Sequence, residues 1–254
     1  MANDHALESA IKGDHRSDKE KARDQYRHPK ETLEFFGFRP DMTVVEISPG
    51  GGWYTKILAP ALKDKGTYIA AHFDPESDVN YYKRSLAAFS ENFVEKKETY
   101  GNFKMTVFNP PKKVAVAEPG TADMVLTFRN VHNWYMGGGE EGLNAAFKGF
   151  YDALKPGGVL GVVEHRLPKN RDQEENKQSG YMRQDLVVSY AEKAGFKLVG
   201  ESDVNANPND TADHPYGVWT LPPSLRLKEK DQEKYLKIGE SDRMTLKFVK
   251  PAKK

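Results

Sequence analysis

Hydrophobic positions along the chain fall into two alternating rhythms. Short runs of β-branched and apolar residues at 43–48, 67–73, 104–108, 122–128, 159–164, 196–202 and 244–249 have strand length and are bounded by turn formers. Between them, residues 53–62, 77–93, 140–154 and 181–194 repeat their apolar positions at helical spacing. Pro29 opens a further helical stretch that Gly37 closes, the usual asymmetry of a helix start and stop. Strands alternating with helices imply right-handed βαβ units and a mostly parallel sheet covered on both faces. No good helix separates the last two strands, so they are expected to form an antiparallel hairpin. The pattern predicts a three-layer α/β sandwich around a seven-stranded, mostly parallel sheet. One domain is expected over 1–254: a helical cap at 1–40, a core at 41–202, a long loop at 203–240 that is a candidate lid, and a last strand and tail at 241–254. The run 18–27 reads as a solvated helix that packs on another part of the protein, and the charged run 228–237 as a solvated helix.

Composition narrows the chemistry. The chain has 254 residues, enough for a full enzyme core, and no cysteine. That excludes disulfides, cysteine nucleophiles and thiolate metal sites. With 38 basic and 37 acidic residues, the balance argues against a dedicated nucleic-acid surface. The apolar runs are too short to span a membrane. Residues 1–6 lack the basic and apolar pattern of a signal peptide, so a cytoplasmic location is expected, although a processed chain would start the same way.

The strongest chemical signal is Val44-Val-Glu46-Ile-Ser48-Pro-Gly50-Gly51-Gly52. Glycines directly after a first parallel strand let a ligand approach the main chain at a helix N-terminus. In open α/β sheets, ligands bind at the carboxyl ends of the strands, where the strand order reverses. A dinucleotide loop would want a third glycine where Thr55 stands. Glu46 would answer an ammonium group rather than a pyrophosphate, which suits a zwitterionic amino-acid ligand.

These residues resemble the first motif of class I S-adenosylmethionine-dependent methyltransferases, and Leu154-Lys-Pro-Gly-Gly-Val159 resembles the turn before their fifth strand. Arg23-Asp-Gln-Tyr-Arg-His-Pro29, Phe128-Arg-Asn-Val-His132 and Asp242-Arg-Met-Thr-Leu-Lys-Phe-Val-Lys-Pro251 resemble a bacterial group of predicted methyltransferases with no assigned acceptor. The resemblance covers about residues 30–250. It implies a Rossmann-like fold and S-adenosylmethionine as cofactor. Glu46, Ser48, Gly50, Gly51 and Gly52 would then hold the amino-acid end. The ribose place falls on His72 or, through a bulge, on Asp74, and the adenine place on Asn109. Ser48 stands where the family has its first glycine.

Arg129-Asn130-Val-His132-Asn-Trp134-Tyr135 follows the fourth strand, where cofactor and acceptor would meet. Arg129 and Asn130 are expected to shape the cofactor pocket. Histidine changes charge near neutral pH, so His132 is the candidate general base; the alternative is a histidine that only bonds its loop. Trp134 and Tyr135 are candidate walls for a small-molecule acceptor, as are Glu164 and His165 after the fifth strand and Tyr26 in the cap. His132, Glu164 and His165 also make a nitrogen–oxygen donor set, but sequence spacing alone does not bring them together, and no metal is assigned. The leading function is methyl transfer to an O, N or S acceptor. A nicotinamide-dependent oxidoreductase and a non-catalytic S-adenosylmethionine-binding protein are the alternatives.

Overall fold

The computed structural model describes residues 2–252; Met1 and residues 253–254, at the outer ends of the expected cap and tail, lie outside the described residues. Four helices precede the sheet: α1 (Ala2–Lys12), α2 (Asp18–Lys21), α3 (Asp24–Arg27) and α4 (Pro29–Phe36). Then follow β1 (Thr43–Ile47), α5 (Thr55–Leu62), β2 (Thr67–His72), α6 (Asn80–Phe89) with a π-helical turn at Ser90–Val94, α7 (Lys97–Tyr100), β3 (Lys104–Val107) and β4 (Ala122–Phe128). The second half runs through α8 (Val131–Ala153), β5 (Leu154–Leu167), the two-residue β6 (Met182–Arg183), α9 (Gln184–Lys193), β7 (Lys197–Ser202), a 3-10 turn at Gly217–Thr220, α10 (Gln232–Ile238) and β8 (Arg243–Val249).

The strand order is β3-β2-β1-β4-β5-β8-β7, with β6 beside the end of β5. Strands β1 to β5 pair in parallel, and β8 runs antiparallel to both β5 and β7. This is the mostly parallel sheet with a terminal hairpin that the periodicity predicts. Order reverses between β1 and β4, so their carboxyl ends open a crevice there.

Alternation along each strand divides the core. Val45, Ile47 and Val125 face one layer, where α8 supplies Phe147 and Phe150. Val44, Met124 and Leu126 face the other, against Leu33 and Phe36 of α4 and Ile57 and Leu58 of α5. Among the described residues, no helix is long and apolar enough to cross a membrane.

Several elements depart from the expected bounds. The run 18–27 is two short helices, and its last residue, Arg27, is buried rather than solvated. His28 takes a left-handed turn with φ 42° before Pro29, because a residue preceding proline is disfavoured in a helix. Helix α8 starts nine residues earlier than expected; the triple glycine obscures its first turns, and Gly139 breaks the helix with φ 55° and ψ −144°. The loop 203–240 is partly ordered by its 3-10 turn and by α10, whose Tyr235 is buried, so the charged run there is not simply a wet face.

Docking of the cap depends on one small residue in β5. A Cβ on Gly161 would lie 2.7 Å from side-chain carbons of both Leu126 and Phe36. Gly161 therefore lets α4 lie flush on the sheet, which brings Arg27 over the strand ends. Gly161→Ala is expected to cost about 1–3 kcal/mol through overpacking, read as a lower urea midpoint; an unchanged midpoint would remove this account of the cap.

Candidate functional site

Two strand ends turn sharply side by side. Ser48, after β1, has φ 48°, and Arg129, after β4, has φ 59°. Both lie in the left-handed region, which non-glycine residues adopt at a cost. Ser48 is pinned by its N–H to the Ala71 carbonyl (2.8 Å), and Arg129 by its N–H to the Val163 carbonyl (2.7 Å). The Asn130 amide then ties the two ends together, donating to the Ile47 carbonyl at 3.0 Å.

A cleft of about 660 Å³ opens beside this junction. Ser48, Gly50, Asp74, Asn109, Asn130 and Trp134 all line it, together with Phe73, Tyr82 and Phe108. Its volume suits a small-molecule site. Gly50 has φ 59°, and a Cβ there would meet nothing within 4 Å, so its bare main chain borders open space. Phe73 stacks on Tyr82 with centroids 4.0 Å apart, giving an aromatic wall. The Asp74 carboxylate accepts from Lys113 (2.7 Å) and from the Glu76 N–H (3.0 Å), and its ordinary acidity is increased, chiefly by the Lys113 bond.

A second cavity, of about 260 Å³, shares Asn133 with the cleft. His132, His165, Arg27, Arg129 and Arg243 line it, roofed by Trp219 and Pro222 from the long loop. The Glu164 carboxylate accepts from the His132 N–H and from His132 Nδ1, each at 2.9 Å, and from the His165 N–H at 2.8 Å. With Nδ1 donating, the other ring nitrogen of His132 carries the lone pair. His165 Nδ1 bonds Ser241 Oγ at 2.5 Å. Burial, followed by Arg243 and His132, pushes His165 well below the usual imidazole range, so it is neutral. His132, Glu164 and His165 bring one donor atom each within 4.8 Å of one another, the donor set that sequence spacing alone could not assemble. The adjacent guanidinium groups oppose a cation there.

Other sequence candidates face elsewhere. Glu46 does not line the cleft; its Oε1 accepts from Tyr68 (2.6 Å) and Thr55 (2.9 Å), fastening β1 to β2 and to α5. Gly52 is a packing glycine: a Cβ there would sit 2.2 Å from Phe93. Gly51 lies with Gly50 in a shallow neighbouring hollow. The His72 ring sits beneath the cleft, with Nδ1 accepting from the Phe73 N–H, and burial lowers it to about 4; Asp74 is the one of the pair that reaches the cleft wall. Tyr135 points away and donates to Glu174 at 2.5 Å. Tyr26 packs on Gly239, and its neighbour Arg27 is the cap residue that reaches a cavity. Sequence reasoning also missed Arg243 and Trp219. A charged residue opening an otherwise apolar last strand was the available signal for Arg243; Trp219 lies in the loop 203–240, the candidate lid.

No family model and no curated protein sequence matches the chain. Solved structures do. The cyclase SpnF aligns with a TM-score of 0.62 at 15% identity, over 95% of this chain and 86% of that one. A putative sarcosine dimethylglycine methyltransferase from Galdieria sulphuraria gives 0.60 at 13%, over 91% and 86%. An S-adenosylmethionine-dependent methyltransferase from Aquifex aeolicus gives 0.55 at 17%, over 90% and 93%. The chain therefore has the fold of the class I S-adenosylmethionine-dependent methyltransferases.

The buried Glu46 generates a pH prediction. Burial, against the bonds from Tyr68 and Thr55, raises its carboxyl from 4.5 to about 7. The folded protein keeps this proton to higher pH than the unfolded chain does. Its contribution to stability is thus full below pH 4.5 and is lost as pH rises through 7. Glu46→Gln is expected to flatten that part of the profile, measured by urea unfolding across the range. A parallel decline in both proteins would refute the assignment.

Proposed function

We propose that this protein is an S-adenosylmethionine-dependent methyltransferase acting on a small-molecule acceptor. The observation that carries the reading is the open cleft at the β1–β4 crossover, bordered by the bare main chain of Gly50. The fold likeness supports it. The bound cofactor would supply a methyl group made electrophilic by its sulfonium. Gly50 and Ser48 would receive the amino-acid end, Asp74 the ribose hydroxyls, and Asn109 with the aromatic wall of Phe73 the adenine. Glu46 supports the loop from behind rather than touching the ligand. Asn130 keeps the two strand ends adjacent, and cleft and second cavity meet at Asn133.

In the second cavity, His132 is oriented as a base. Glu164 fixes its tautomer and would stabilise the imidazolium formed when it takes a proton from an O–H or N–H acceptor. Trp219 and Pro222 exclude water from that side. The nicotinamide reading is less favoured, because Thr55, at the place of the third glycine, is buried and tied to Glu46. A protein that binds the cofactor without transferring it remains the other outcome of the test.

Titration calorimetry with S-adenosylhomocysteine and with NAD separates the readings. S-adenosylhomocysteine is expected to bind and NAD not to. Gly50→Val is expected to weaken S-adenosylhomocysteine by roughly tenfold or more; unchanged affinity in the folded variant sinks the cleft assignment. His132→Ala is expected to slow radiolabelled methyl transfer to a metabolite library by about 10²-fold or more, the usual share of a general base. Cofactor affinity should stay intact. Equal turnover would remove the base, and transfer absent from wild type as well would leave a binding protein.

A further inference from the structure

The cavity beyond Asn133 is positively charged, and its walls do not neutralise it. Glu240 is the one carboxylate among its charged neighbours that pairs with arginine, and two arginines share it: Arg27 Nε at 3.1 Å and Arg243 Nη2 at 2.7 Å. Both arginines and Glu240 are buried. The other nearby acid, Glu164, already accepts three N–H groups from His132 and His165. Arg129 is left over. Among the described residues, its guanidinium has neither a hydrogen bond nor an ion pair, and it lines the half-open cavity while only partly exposed.

The partly desolvated guanidinium of Arg129, without a partner in the protein, is a ready donor for an anionic ligand. Burial, then Arg27 and Arg243, pushes its acidity constant well below the ordinary arginine value. The backbone is strained at the same residue, with φ 59°. Burial likewise lowers Arg27 to about 10 against the pull of Glu240. Three guanidinium groups line the cavity, and Glu240 pairs with two of them, Arg27 and Arg243. The long loop adds apolar surface to the wall: the Trp219 indole, its ring 6.0 Å from that of His132, and Pro222.

We propose that this cavity binds the carboxylate of a small organic acid through the free guanidinium of Arg129, and that this acid, on the methyl-transfer reading above, is the acceptor. A carboxylate would answer the unpartnered Arg129, and a planar guanidinium can hold both of its oxygens. The apolar body of the acid would lie against Trp219 and Pro222. A volume near 260 Å³ limits it to a single-ring or short-chain molecule. Its nucleophilic end would point to Asn133, where the cavity adjoins the cofactor cleft.

The experiment uses the full chain with and without S-adenosylhomocysteine. Benzoate, phenylacetate and 4-hydroxybenzoate are titrated beside their neutral amides and inorganic phosphate, with Trp fluorescence and calorimetry as readouts. At least one acid is expected to bind roughly tenfold or more tightly than its amide. Arg129→Met is expected to abolish that preference while S-adenosylhomocysteine affinity stays within about twofold. Because its guanidinium holds no bond inside the protein, this variant should unfold at the same urea concentration or a higher one. Arg129→Gly, which also relieves the φ strain, covers the case in which the first variant misfolds. The proposal is overturned if no acid outbinds its amide, if phosphate is preferred, or if Arg129→Met leaves the preference intact. Zinc binding that disappears in His165→Ala would also overturn it, by making the cavity a cation site. Carboxylate binding without any S-adenosylhomocysteine binding would refute the methyl-transfer reading and leave the acid site standing.

Discussion

One side-chain amide holds the working end of this protein together. Asn130 reaches from the end of β4 to the Ile47 carbonyl at the end of β1, across the point where strand order reverses. A parallel sheet leaves such ends splayed, with main-chain groups that need partners. Here the two ends are clamped, and each then bends through a left-handed residue. The bend at Ser48 presents the glycine turn to the cleft. The bend at Arg129 sends a cationic side chain toward the other cavity. Two chambers with different chemistry therefore meet at a single hinge of backbone.

The contrast between those chambers is electrostatic as much as geometric. The cleft is walled by aromatic rings, amides and one ion-paired acid, Asp74. The neighbouring cavity is walled by guanidinium groups and imidazoles. A neutral adenosine suits the first, and a negatively charged group the second. The separation also explains the place of Glu46. An uncompensated acid facing the cleft would be one more charge to desolvate. Tied to Tyr68 and Thr55, it instead braces the loop from the core side.

Much of the fold was readable because it rests on local periodicity. Strand-length apolar runs, Pro29, Gly37 and the Lys-Pro-Gly-Gly turn each carry their signal within a few residues. The cleft was half readable for the same reason, since Ser48, Gly50, Asn109 and Asn130 sit directly after strands. What was hidden depends on distance in space. Whether Glu46 turned toward the ligand or toward Tyr68 was decided by a partner 22 residues away. Arg27 and Glu240 lie 213 positions apart, and no pattern along the chain foretells their pairing. Trp219 reaches its cavity through a loop whose path periodicity does not determine. Tyr135 had the right residue type in the right segment, but the first turn of α8 rotated it toward Glu174.

The shared carboxylate Glu240 has a temporal consequence. A growing chain that has emerged only as far as residue 230 already contains Ser48, Gly50, Asp74, Asn109 and Asn130, which line the cleft. It contains Arg27 and Arg129 as well, but neither the acid that partners Arg27 nor the strand that carries Arg243. Until the closing segment arrives, the second cavity lacks Arg243 and the carboxylate that answers Arg27. The order of synthesis thus supplies the residues of the cleft first and completes the second cavity last.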